Sequence, residues 1–132
     1  MEEQLISFET AKLAKEKGFN TSNTGYRYDK KGDRIMDTPL DRLLWGTNYP
    51  IATQSLLQKW LREVHGIHIQ VYTMERWLES GNDMETYFEV NLKTTHRLNG
   101  LSNIKFNMLT FKTYEEALEN GLQKGLKLIN NE

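Results

Sequence analysis

The side chains that could do chemistry in this sequence are three histidines, a scatter of carboxylates and a few aromatics outside the obvious helices. His65 and His68 are three residues apart but straddle an expected helix end at Gly66, so their imidazoles do not share a face, and His96 stands alone. With no cysteine and no carboxylate cluster beside them, no metal is expected. The expected role of His65 is structural, at a helix C-terminus whose dipole favours a cation. Glu75, Glu79, Asp83 and Glu85 gather near an expected turn. Paired carboxylates do acid–base work, but turns are commonly acidic simply because they are solvated. A small carboxylate-based hydrolase is therefore a second alternative reading. The sequence contains no Gly-x-Ser-x-Gly elbow and no Gly-x-x-x-x-Gly-Lys loop. No catalytic residue and no cofactor is assigned, and a binder is favoured over an enzyme.

The aromatics carry more. Trp45 and Tyr49 lie in an irregular stretch that also holds Pro39 and Pro50, and Trp77 lies near the expected turn. Aromatics in loops are enriched at ligand and protein interfaces, though they also plug the ends of small cores. Arg62 offers a planar fork for a carboxylate or phosphate. It stands with His65 at the exposed end of the second expected helix. The candidate ligand-binding residues are therefore Trp45, Tyr49, Arg62, His65 and Trp77, while Trp60 is expected in the core. A first alternative is nucleic-acid binding: Tyr26 and Tyr28 could stack on bases beside Lys12, Lys15, Lys17, Lys30, Lys31 and Arg34. Glu9, Glu16, Asp29 and Asp33 dilute that charge.

These residues need elements to position them. Ser7 caps a helix over residues 8–17, Thr53 caps one over 54–65 that ends at Gly66, and the capping box Thr113-Tyr-Glu-Glu116 opens one that runs to about 129. In the last helix Leu118, Leu122, Leu126 and Ile129 form an apolar stripe. Ala117, Gly121 and Gly125 form a small-residue ridge beside it, which suggests close approach of a strand or helix. Alternation predicts a hairpin over 26–29 and 33–36, a strand from Ile67 through Val71, another around Phe88–Leu92, and a short one within 104–112. Residues 74–79 read as a continuation of the strand or as a short helix, and residues 40–44 as a single helical turn. The order implies an α+β domain spanning residues 1–132, a small antiparallel sheet with about three helices packed on one face.

Composition narrows the class. The 132 residues carry 17 basic and 18 acidic side chains, a net charge of -1, 38% apolar residues and no cysteine. That excludes a disulfide framework, a thiol nucleophile and a Cys-ligated metal. No apolar run approaches the roughly 20 residues that span a bilayer, so no membrane partner is expected. The acidic start lacks the basic region of a signal peptide, and a cytoplasmic location is expected.

Three segments, ISFETAKLAKEKGF at 6–19, TQSLLQKWLREVHGIHI at 53–69 and TYEEALENGLQKGLKLI at 113–129, resemble a group of small uncharacterised proteins of phages, prophages and mobile elements of gut Bacteroidales. The resemblance covers about a third of the chain and implies a context, an accessory protein made in a bacterial host cell, with no activity or catalytic residue to carry over. The expectation is a small non-enzymatic protein that binds a host protein or a small, nucleotide-like ligand stoichiometrically. A homo-oligomer built on an uncovered apolar stripe is compatible with it.

Overall fold

The structure, a computed structural model, describes residues 4–36, 38, 48–79, 81–96, 100–104 and 110–129. Trp45 and the expected helical turn at 40–44 lie outside the described residues.

Helix α1 (Phe8–Glu16) starts where the Ser7 hydroxyl accepts from the Thr10 amide at 3.2 Å. It is followed by a hairpin of β1 (Tyr26–Tyr28) and β2 (Arg34–Met36). The Asp29 carboxylate closes this turn by accepting from the Lys31 and Asp33 amides at 2.8 and 2.9 Å. A two-residue strand β3 (Tyr49–Pro50) pairs with the other side of β1, making a sheet of order β2-β1-β3. Pro50 suits this place because an edge strand leaves one side without donors to satisfy.

Helix α2 (Gln54–His65) has the expected bounds. The Thr53 hydroxyl accepts from the Leu56 amide at 3.3 Å, and Gly66 ends the helix in the left-handed region at φ 65°. The chain then enters β4 (Ile67–Trp77), which turns back into β5 (Met84–His96) in an antiparallel register of eleven pairs, from Ile67↔Thr94 to Trp77↔Met84. Residues 74–77 thus continue the strand. On the far side of β5, β6 (Gly100–Ile104) pairs with its C-terminal end and β7 (Thr110–Phe111) with its middle. Helix α3 (Tyr114–Lys127) closes the chain, its Thr113 cap accepting from the Glu116 amide at 3.1 Å.

The fold is α+β, with two small antiparallel sheets where the sequence predicted one. They form separately because different helices cover them. Phe8 of α1 packs edge-on against Tyr28 and Tyr49 of the first sheet, at ring-centroid distances of 5.6 and 5.5 Å. Helix α3 lies on β4 and β5 of the second. The ridge of α3 permits that approach, because Ala117, Gly121 and Gly125 are all buried against it. Leu57 and Leu61 of α2, Leu92 of β5 and Leu122 and Leu126 of α3 are fully buried and join Ile6, Ala11 and Ala14 in one core.

Candidate functional site: the hairpin arm

Among the described residues, two concave features and one projecting element are candidates. The first feature is a cleft of about 570 Å³ at the N-terminal ends of the three helices, lined by Ser7, Tyr28, Gln54, Thr113, Glu115 and Glu119 among others. Its floor is a hydrogen-bond network centred on the Glu119 carboxylate. One oxygen accepts from the Ser7 amide at 3.0 Å, the Ser7 hydroxyl at 2.9 Å and the Thr10 hydroxyl; the other accepts from the Gln54 amide group at 2.8 Å. Gln123 donates to the Thr10 hydroxyl at 3.0 Å. Tyr28 donates to the Ile6 carbonyl at 2.9 Å, and its phenol is pushed up by burial and by the Glu119 charge, against an opposing pull from Arg34. These partners join α1, α2, α3 and β1 to one another. The network is therefore architecture: its polar atoms serve the fold and are not held open for a ligand.

The second feature is a shallow groove of about 220 Å³ on α2, lined by Phe19, Leu56, Lys59, Trp60, Glu63 and Val64 among others. Trp60 does pack on the core, but from its edge, with ring centroids 5.3 Å from Phe19 and 4.7 Å from His65. Burial against this ring pushes the His65 imidazole below its ordinary value, outweighing the attraction of the helix C-terminus for a cation. The neutral form is thus favoured by folding. His65 contributes stability that is present above about pH 6.5, the ordinary imidazole value, and is lost as the pH falls through the lower folded value. Melting temperature is expected to fall between about pH 7.5 and pH 5, and less steeply in His65→Gln. Equal slopes for the two proteins would contradict this.

The projecting element is the outer half of the β4–β5 hairpin. Side chains alternate across it, so Ile67, Ile69 and Val71 face α3 together with Leu92 and Val90, whereas from Tyr72 onward every residue of β4 is exposed. Coverage from α3 ends at Phe88, whose ring meets Tyr114 edge-on at 6.3 Å. Beyond it the hairpin continues as an arm of two strands. Apolar side chains crowd this arm: Trp77 is 66% exposed, Met84 47% and Tyr72 42%, with Leu78 and Met74 beside them. Four of the ten large exposed hydrophobic residues among the described residues are on this arm, and a fifth, Tyr72, stands at its base. One face is stiffened by Arg76, which donates to Glu85 at 2.9 Å and stacks over the Tyr87 ring at 5.1 Å; the hydrogen bond and charge of Glu85 raise the guanidinium's already high pKa.

The candidate residues from the sequence do not converge. Arg62 and His65 share the last turn of α2. Tyr49 lies on the first sheet against Phe8, with the Lys15 ammonium 5.3 Å from its ring centre. Trp77 ends β4, about 33 Å of extended strand from Ile67. Of the acidic set, Glu75 pairs with Thr86 and Glu85 with Arg76, so these two carboxylates stand on opposite faces of the arm. On the first hairpin, Tyr28 turns inward and Tyr26 carries Arg34 over its ring at 4.7 Å. Trp77 is the one candidate ligand-binding residue on this arm, and the exposed Tyr72, Met74, Leu78 and Met84 beside it are not among the sequence candidates. The available signal is weak, because apolar and polar residues alternate only from Ile67 to Val71 and the order breaks over Tyr72 to Trp77, which leaves a helical reading of 74–79 open.

Among the described residues no three His, Asp or Glu side chains converge as metal ligands, and no helix is long and apolar enough to cross a membrane. Comparison with protein-family models, curated proteins and solved structures finds no match to this chain.

Proposed function

We propose that this chain is a non-enzymatic binding protein that acts by stoichiometric association with another protein in the bacterial cytoplasm, and that the hairpin arm is its binding surface. The observation that carries the reading is Trp77, 66% exposed at the end of an arm whose apolar neighbours Leu78 and Met84 are exposed with it. Large apolar side chains clustered in the open contribute nothing to a monomer's core, and such clusters mark interaction sites. Trp is the residue most often found to dominate protein interfaces. A protein partner is favoured over a small ligand because the Ser7, Gln54 and Glu119 polar atoms on the floor of the larger cleft are engaged in the fold. The other groove, at about 220 Å³, is below the roughly 300 Å³ at which ligand pockets begin. The resemblance to accessory proteins of phages and mobile elements fits a molecule that works by occupying a partner.

Site-directed photo-cross-linking in the expressing cell tests this. A cross-linking residue at position 77 is expected to give a protein-sized adduct, and the same residue at position 112, exposed on the body, to give none. No adduct at 77, or equal adducts at both positions, would contradict the proposal.

A further inference from the structure

We infer that the free edge of β4 takes a second copy of this chain as its partner, pairing antiparallel about a two-fold axis at Met74; this rests on the reading of the arm as the binding surface. In an antiparallel strand the amide and carbonyl of one residue point to the same side, and successive residues alternate. The Leu78 amide donates to the Asp83 carbonyl at 2.9 Å, continuing the β4–β5 register, so the even-numbered residues of β4 bond to β5. The odd-numbered residues point away. The Ile69 carbonyl agrees, since it accepts from the Gln58 side chain of α2 at 2.9 Å. That bond closes the edge at Ile69. Beyond it, Val71, Thr73, Glu75 and Trp77 present outward amides and carbonyls to which no neighbouring strand is paired among the described residues.

A row of free donors and acceptors this long is a template for another strand. Two of the usual protections are absent, since the strand has no proline and its eleven pairs with β5 run without a bulge; its charges are Glu75 and Arg76, and Arg76 is held by Glu85. The arm is also only two strands wide, and a two-stranded hairpin is marginal in water by itself. Pairing two arms makes four.

The four free residues select the register. Centred on Met74, Val71 pairs with the partner's Trp77 and Thr73 with the partner's Glu75, so every free amide and carbonyl is used and none beyond them is needed. Centring on Thr73 would require Ile69, whose carbonyl Gln58 already holds. Centring on Glu75 would set two carboxylates opposite each other and leave Val71 unpaired. In the Met74 register no like charges face one another. Arg76 falls opposite the partner's Tyr72 ring, a cation–π arrangement, and Met74 meets its own copy.

Sedimentation velocity from low micromolar to several hundred micromolar protein tests the pairing. The expected result is a concentration-dependent species of twice the 15.5 kDa chain mass. Met74→Lys sets two ammonium groups opposite each other at the axis and is expected to weaken association about tenfold or more. Thr73→Pro removes an outward amide that β5 does not use and is expected to do the same, with far-UV circular dichroism reporting that the hairpin persists. Met74→Leu is expected to retain the dimer. A monomer throughout the range, or a dimer indifferent to Met74→Lys and Thr73→Pro, would overturn the inference. The cross-linking at position 77 separates the two ideas. An adduct only with a different protein leaves the arm as the binding surface and removes the second copy, whereas no adduct removes both.

Discussion

Replacing Glu119 with alanine is expected to destabilise the chain by about 3 kcal/mol. The carboxylate accepts from the Ser7 amide, the Ser7 and Thr10 hydroxyls and the Gln54 side chain, and Gln54 is itself buried. Hydrogen bonds to a charged group contribute roughly 1.5–3 kcal/mol each, and they are not additive. The carboxylate also sits at the N-terminus of α1, where a negative charge adds roughly 0.3–1 kcal/mol. Water reaching the cleft would recover part of the loss, which keeps the estimate near the value of one strong bond plus stranded donors. Glu119→Gln keeps the shape but turns an N–H toward one set of donors, and about half the effect is expected. Urea unfolding monitored by circular dichroism reads both. A loss under about 1 kcal/mol for Glu119→Ala would show that the network does not hold the helices together.

The second large effect separates two glycines on one ridge. A Cβ at Gly121 would lie 2.6 Å from Val90 Cγ2 and 2.7 Å from Ile69 Cγ2, closer than atoms approach without something moving. Both neighbours are short β-branched side chains held on a paired strand, so helix and sheet must separate. Overpacking of this kind costs roughly 1–3 kcal/mol, from which the gain of about 1 kcal/mol in helix propensity is subtracted. Gly121→Ala is expected to lose about 2 kcal/mol, the backbone shift placing it toward the upper end. At Gly125 the nearest atoms, on Ile67, Ile69 and Leu61, stand at 3.4 Å, ordinary contact. Gly125→Ala is therefore expected to be neutral or to gain up to about 1 kcal/mol. Thermal melts of the two variants should move in opposite directions or differ by several degrees. Equal losses would mean that α3 does not lie on β4 and β5 as described.

Both results bear on what is legible in sequence. The ridge was visible as Ala117, Gly121 and Gly125 at helical spacing, and so was its meaning, close approach. Which glycine is critical was not, because that depends on where Ile69 and Val90 arrive from other parts of the chain. Helix α2 could be read to the residue because its signals are local: Thr53 at one end, Gly66 at the other and a broad apolar stripe between. The Glu119 network could not, since Ser7 and Glu119 lie 112 residues apart and neither is unusual where it stands. Strands β3 and β6 escaped for a related reason. Tyr49–Pro50 is too short to alternate, and Gly100–Ile104 carries no strong pattern. The arm is the instructive case. Once both faces of a hairpin are exposed, burial no longer imposes alternation of apolar and polar residues, so Thr73 to Trp77 reads ambiguously even though the strand is continuous. Of the candidate ligand set, Trp77 was found by residue type alone. Arg62, His65 and Tyr49 occupy other parts of the molecule.

The central claim is that the apolar side chains of the arm serve association and not the fold. The most direct test combines Trp77→Ser, Leu78→Ser and Met84→Ser in one chain and measures its melting temperature and its cross-linking from arm position 72, exposed on the same hairpin. These side chains lie beyond the core, and the only pairing they share is Trp77 across from Met84, worth up to about 1 kcal/mol. The account predicts a melting temperature within about 4 °C of the parent and loss of the protein adduct. A fall of roughly 10 °C or more would assign these side chains to the fold, and an adduct that persists undiminished would place binding elsewhere; each result would contradict the account.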